Sequence, residues 1–425
     1  MIYLVDGLRT PFLRAAGPQN PAQAADLAVL AGKQLLLGSK IDPKKIDEVI
    51  MGCVMPDPSE VNIARIIALR LGLGHQIPAW TVQRNCASGL QAIDSAFQAI
   101  ALGNANLILA GGVDTMSRAP VLFSDAMVNW MASGYQAKTF FQKIKHFLKF
   151  RPAYLKPVIG LLKGLTDPIV ALSMGQTAEE LAHDFNISRE EMDNFAVQSH
   201  LKAQFGIQNQ KFDAELASYF DLQKGASLLY DNGIRSDSNQ SHLAKLKPVF
   251  DKPAGLVTAG NSSQVSDGAA CLLLASEAFV KKEGLKPLAS IEAIAWAALD
   301  PAKMGLGPVH AIHRLLEKTG LKFSDIDYWE INEAFAAQVL ACVKAMQDDD
   351  YCKRVLGLKA PLGTIDMERL NVDGGAIAIG HPVGASGARI SLHLAHVLQR
   401  ENANLGIASL CIGGGQGGAV LIKRV

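Results

Sequence analysis

Short apolar runs alternate with longer segments in which apolar residues recur every three or four positions. Ile2-Tyr3-Leu4-Val5, Glu48-Val49-Ile50-Met51 and Leu107-Ile108-Leu109-Ala110-Gly111-Gly112 read as strands, the last two buried. Beyond Cys86, the residues Ala92, Ile93, Ala96 and Ile100 share one helical face. Arg189 to Phe205 predicts a further helix, opened by Ser188 with Glu191 three residues later as a capping box. Strands alternating with helices predict an α/β fold.

The pattern occurs twice. Gly384-Ala385-Ser386-Gly387 repeats Cys86-Ala87-Ser88-Gly89, and Asn402-Ala403-Asn404-Leu405 repeats Asn104-Ala105-Asn106-Leu107, both pairs 298 residues apart. Ile326-Asp327-Tyr328-Trp329-Glu330 matches Ile46-Asp47-Glu48-Val49-Ile50 at a shift of 280, so the second copy carries an insertion, which segment 342–367 fits. A duplicated α/β unit follows, with its halves expected about a pseudo-twofold axis. Residues 1–119 form the first half, which returns at 251–288, and 289–425 form the second. Residues 120–250 lack the repeat and form a loop domain.

Composition narrows the class. The chain has 425 residues, 49% hydrophobic and 19% charged, as expected of a soluble globular protein with two or three domains. A net charge of +1 excludes a globally basic nucleic-acid binder. The six cysteines are scattered and show no zinc spacing, which predicts reduced thiols, no metal and a cytoplasmic location. No signal peptide or spanning segment is expected. Segment 126–166 breaks the charge balance with seven Lys/Arg and no Asp or Glu. In it Phe140, Phe141, Ile144, Phe147 and Leu148 share a helical face, and Val158, Ile159, Leu161, Leu162 and Leu165 form a second apolar cluster. A basic amphipathic helix predicts peripheral contact with the inner face of a membrane. The alternative is a face packed on this chain or on a partner subunit.

The two copies differ where chemistry is expected. Cys86 opens a predicted helix, whose N–H groups and dipole favour a thiolate; the alternative is a buried structural cysteine. Gly380-His381-Pro382 lies among glycines, where a histidine can take a proton from a thiol; the alternative is a turn histidine with no partner. Cys411 precedes the run Gly413-Gly414-Gly415-Gln416-Gly417-Gly418, whose N–H groups can form an oxyanion hole; a phosphate loop would need a Gly-Lys-Ser/Thr ending. Asn332-Glu333-Ala334-Phe335 follows a predicted strand, and Asn332 reads as a site residue or a helix N-cap.

Taken in order, Asn85-Cys86-Ala87-Ser88-Gly89, Gly111-Gly112-Val113-Asp114-Thr115-Met116-Ser117, Thr258-Ala259-Gly260-Asn261-Ser262-Ser263, Asn332-Glu333-Ala334-Phe335, Gly374-Gly375-Ala376-Ile377-Ala378-Ile379-Gly380-His381-Pro382 and Cys411-Ile412-Gly413-Gly414-Gly415-Gln416-Gly417 resemble the signatures of the thiolase family. The resemblance covers nearly the whole chain. It implies a fold of two similar βαβαβαββ halves in a five-layered α-β-α-β-α core plus a loop domain, and a homodimer or tetramer.

It also implies roles. Cys86 matches the acylated nucleophile, His381 its base and Cys411 the acid/base at C2 of the acetyl group. Asn332 matches the residue that holds a water beside His381 for the enolate oxygen, and the Gly413 and Cys86 N–H groups match a second oxyanion hole. Ser263 matches a position on the pantetheine arm of coenzyme A. Met174, Met304 and Phe335 match positions lining the acyl or pantetheine channel. Coenzyme A is thereby implied as a substrate, with no permanently bound cofactor. Two positions depart from the pattern: Asp114 stands where glutamate is usual, and Ser173 where short-chain biosynthetic members carry a histidine. Segment 126–166 resembles the β subunit of fatty-acid-oxidation trifunctional complexes, which implies a 3-ketoacyl-CoA thiolase of β-oxidation docked to a hydratase/dehydrogenase α subunit. Segment 371–378 resembles the biosynthetic acetoacetyl-CoA thiolases, the second reading. A non-catalytic lipid or CoA carrier is the third, and the intact cysteines and histidine oppose it.

Overall fold

The computed structural model describes residues 1–15, 22–221 and 225–425. Nine strands of its largest sheet follow one hydrogen-bonded order: Tyr328–Ile331, Leu405–Ile412, Gln416–Arg424, Ala289–Ala298, Ile2–Arg9, Ser266–Ser276, Leu107–Thr115, Glu48–Gly52 and Ala79–Val82. A short strand, Leu13–Arg14, pairs beside them with Ser266–Ser276. The order is the same outward from its centre, where Ile2 pairs with Ile291 in antiparallel register. On each side two antiparallel pairings lead to one parallel pairing. Only the first half adds a further strand, Ala79–Val82. This palindrome is the pseudo-twofold relation expected from the repeat.

Covering on both faces explains why the strands read as continuous apolar runs rather than alternating ones. Every residue of Leu107–Thr115 is buried. Helices Ala24–Ser39 and Ile63–Arg70 cover the outer face of the first half, and Gly307–Thr319 and Ala336–Gln347 that of the second. Helices Ser88–Ala101 and Val383–Arg400 fill the layer between, giving five layers in all. Val383–Arg400 is buried without a break from Val383 to Ala395, as befits a helix with protein on all sides.

The two central helices meet at their first turns. A Cβ on Gly89 would lie 2.7 Å from Gly384 O, and one on Gly387 would lie 2.5 Å from Leu90 N; one on Gly112 would collide with Gly384 O. Gly89 and Gly387 correspond in the repeat, and all three glycines let backbone touch backbone. The turn bearing Cys86 and the turn bearing His381 are thereby brought to one place.

Segment 342–367 is less separate than its sequence suggests. It starts inside the continuous helix Ala336–Gln347 and continues into Asp349–Arg354. Ser188 and Glu191 form the expected capping box, and their helix runs to Gln208. Arg9, fully buried in its strand, binds Glu215 and Asp231 at 2.7 Å each, and Glu215 binds His393 at 2.8 Å. Glu215 is thus tied to both halves, and Asp231 to the first.

The insert stands apart. Helices Asp125–Gln136 and Phe140–Phe147 pack on each other, with Trp130 stacked on His146 at 4.6 Å between centroids. The ribbon of Val121–Leu122 with Val158–Ile159 closes the excursion. The amphipathic helix forms as expected, capped by Thr139. Its apolar face is not covered by the rest of the chain: Phe140, Phe141, Phe147 and Leu148 are 71–82% exposed. Packing on its own chain, one alternative for this face, is therefore not what the structure shows.

Candidate functional site

Strand Ala79–Val82 delivers a tight turn that carries Cys86. Asn85 is left-handed there, with φ of 43°. The helix begins at Ser88 with Ala87 as its cap, so Cys86 lies just outside it. The Ser88 hydroxyl donates to Asn85 O and accepts from Arg84 N, both at 2.8 Å. The thiol is not lowered as a helix N-terminus alone would lower it. Burial pushes it up, and the N–H groups of Gly413 and Cys86 offset this only in part. The resting group is a thiol, and its use as a nucleophile requires a base.

His381 supplies an imidazole suited to that task. It is buried in the turn ahead of Val383–Arg400, following Gly380 at φ of 115°. Its Nδ1 lies 2.6 Å from Ser386 Oγ, while Nε2 has no protein partner. Burial, and secondarily the charge of Arg389, push its pKa down to about 4, so it is neutral at pH 7.

Cys411 is the next-to-last residue of strand Leu405–Ile412, opposite Gly417 in the hairpin. The connecting turn requires φ of 90° at Gly414 and 75° at Gly415, and a Cβ on Gly415 would also strike Leu299 O. Asn85 Nδ2 donates to Gly413 O at 2.8 Å and ties this turn to the Cys86 turn. Burial raises the Cys411 thiol well above its ordinary value, and the nearby Cys86 and Cys342 raise it further. A thiolate at Cys86 therefore favours a protonated Cys411.

Asn332 is buried, and neither polar atom of its amide has a protein partner. It is not an N-cap, because Phe335 caps Ala336–Gln347. Neighbouring Glu333 accepts from Ser199 Oγ at 2.6 Å, Asn371 Nδ2 at 2.9 Å and Ile377 N at 3.2 Å. It anchors the loop that leads to His381. Asp114, whose pKa burial lifts to about 6, accepts from Met55 N at 2.8 Å and Gly384 N at 2.6 Å. The shorter acid joins the wall beside Cys86 to the turn after His381.

A cavity of about 240 Å³ opens over Cys86, lined also by Asn85, Met174, Gly413, Leu165 and Ile169. Of the expected substrate-binding set, Met174 lines this cavity. Ser263, Met304 and Phe335 are not part of its lining. Met304 and Phe335 belong to the core of the second half, with Phe335 edge-on to Phe250 at 5.9 Å. Ser263 N donates to Ala334 O beside them. Ser173 caps helix Met174–Asp184 through a capping box. The residue that sequence reading passed over is Ser386, although its match to Ser88 in the repeat marked it. Among the described residues, no His/Cys/Asp/Glu cluster is arranged to hold a metal ion.

Known proteins share this sequence pattern and fold. The family model for the thiolase N-terminal domain matches residues 2–278, and that for the thiolase C-terminal domain matches 285–424. The 3-ketoacyl-CoA thiolases of Yersinia pestis and Yersinia pseudotuberculosis are 36% identical over 424 residues, covering 99% of this chain and 96% of theirs. The crystal structure of Bacillus anthracis acetyl-CoA acetyltransferase matches with a TM-score of 0.86 at 35% identity, covering 100% of this chain and 98% of that one. Human mitochondrial 3-ketoacyl-CoA thiolase in complex with CoA matches with a TM-score of 0.85 at 37% identity and the same coverage. With both domain models matched in order and relatives aligned end to end, the chain belongs to the thiolase family.

Proposed function

We propose that this chain is a 3-ketoacyl-CoA thiolase, an acetyl-CoA C-acyltransferase of fatty-acid β-oxidation. The observation that carries the reading is the Cys86 turn of one half tied to the Gly413 turn of the other, with His381 and Cys411 contributed by that second half. His381 takes the Cys86 proton, and the thiolate attacks the 3-keto carbon of the substrate. The bond between C2 and C3 breaks, and its electron pair passes to an enolate of acetyl-CoA. Cys411 protonates C2, leaving an acyl thioester on Cys86. Coenzyme A then gives its thiol proton to the Cys411 thiolate and its sulfur attacks the acyl carbonyl; Cys86 leaves as a thiolate and takes back its proton from His381. The Cys86 and Gly413 N–H groups face the tetrahedral oxygen. Asn332, through a water, and His381 face the enolate oxygen.

Coenzyme A acts here as substrate, and no permanently held cofactor enters the scheme. Ser263, Met304 and Phe335 form a substrate-binding set reached only by acyl-CoA and pantetheine extending past the Cys86 cavity. The assembly is a homodimer or tetramer in the cytoplasm. The basic, apolar insert docks on anionic lipid at the inner face of a membrane; an interface with a hydratase/dehydrogenase subunit is the competing use of that face. No helix among the described residues is long and apolar enough to cross a membrane.

CoA-dependent thiolysis of 3-ketoacyl-CoA from four to sixteen carbons, with Cys86→Ala as blank, tests the reading. A rate that holds or rises with length supports it. The small cavity favours one other reading, an acetoacetyl-CoA thiolase. Activity on the four-carbon substrate alone would select that. Inactivity on every length would return the carrier reading.

A further inference from the structure

Ser88 and Ser386 occupy equivalent places in the repeat, as do Arg84 and Pro382. The two serines use their single proton alike. Ser88 Oγ donates to Asn85 O at 2.8 Å, and Ser386 Oγ donates to Pro382 O at 2.9 Å. They differ in what they accept. Ser88 accepts Arg84 N–H at 2.8 Å, so its oxygen closes the turn before the nucleophile. Pro382, at the position matching Arg84, has no N–H to give. The Ser386 oxygen instead faces His381 Nδ1 at 2.6 Å.

We infer that Ser386 is a positioning residue for the base: its oxygen accepts the Nδ1 proton of His381 and so holds the imidazole with its lone pair on Nε2. A hydroxyl whose only proton is committed to a carbonyl can meet Nδ1 only as an acceptor. With the hydroxyl assigned in this way, the proton sits on Nδ1 and Nε2 is the basic atom. Nε2 is also the buried ring atom without a protein partner. Proline at 382 contributes by removing the donor that would otherwise compete for the serine oxygen. The inference rests on the reading of His381 as the base, yet the ring's tautomer can be measured without turnover.

The experiment is ¹⁵N NMR of histidine-labelled protein, with the His381 signals identified by their loss in His381→Asn. The expected wild-type pattern is protonated Nδ1 and unprotonated Nε2. Ser386→Ala should shift the ring toward the other tautomer and slow acylation of Cys86 by about 10- to 100-fold, the range seen for hydrogen-bond partners that orient metal-binding imidazoles. Its melting temperature and circular dichroism report whether it folds. Pro382→Ala provides a second route, because it restores a competing N–H while keeping the hydroxyl, and should move the tautomer in the same direction. A wild-type ring protonated on Nε2 overturns the inference, even if neither variant folds. So does a folded Ser386→Ala with unchanged tautomer and acylation. Failure of thiolysis with the expected tautomer would count against the proposed function and leave the hydrogen-bond assignment standing.

Discussion

The central layer and the insert spend their apolar residues in opposite ways. Around Val383–Arg400 every side chain from Val383 to Ala395 is covered, and glycines bring two helix ends into backbone contact. Around Phe140–Phe147 the aromatic side chains face outward beside lysines. The first arrangement fixes reacting groups in place, which demands close packing. The second leaves an apolar surface exposed, the one proposed above for docking. Substitutions in one region should therefore disturb chemistry and stability, and in the other attachment alone.

The largest effect expected is from Cys86→Ala, which should abolish acyl-enzyme formation, read by mass spectrometry after mixing with acyl-CoA. Cys411→Ala should still acylate but lose exchange of the C2 protons of acetyl-CoA; retained exchange would move the acid/base role to another group. Asn332→Ala should slow thiolysis by about 100-fold or more, the scale for losing an oxyanion partner. A loss below tenfold would detach its unpartnered amide from the enolate.

The pH profile is a sharper probe of burial. With its pKa down at about 4, His381 stays neutral as pH falls through the ordinary histidine range. The acid limb of kcat/KM should lie below pH 6, and a limb near 6.5 would show a solvated ring. The same shift has a sign for stability. The unfolded chain takes up a proton near 6.5 that the folded chain refuses until about 4, so stability should fall as pH drops across that window.

The smallest change in fold, and the cleanest separation of the regions, should come from Phe140→Asp with Phe141→Asp. Stability should shift by about 0.5 kcal/mol or less, as at exposed positions. Thiolysis should be unchanged, while co-sedimentation with anionic vesicles should be lost. Equal binding of wild type to neutral and anionic vesicles would remove the electrostatic docking.

The same contrast explains what was legible in the sequence. The repeat at 86 and 384 foretold paired halves, because duplicated turns keep their glycines for packing reasons. The strands were legible as apolar runs because both sheet faces are covered. The amphipathic pattern at 140–148 was equally clear, but periodicity is identical whether a face is buried or bare. The Cys86 thiol was misjudged from its place before a helix, since desolvation depends on residues hundreds of positions away. Ser386 stayed hidden for a related reason: a serine in a small-residue run has no visible partner until the ring at 381 folds over it.

The bond from Asn85 to Gly413 spans 328 residues of sequence. During synthesis the nucleophile leaves the ribosome long before the Gly413 oxyanion donor exists. Contacts of such range form late, after loop closure over most of the chain. A nascent chain therefore carries Cys86 as an ordinary thiol. Reactivity arrives with the docking of the halves, so an unfinished or half-folded copy has no means of capturing acyl groups from the cell's thioesters.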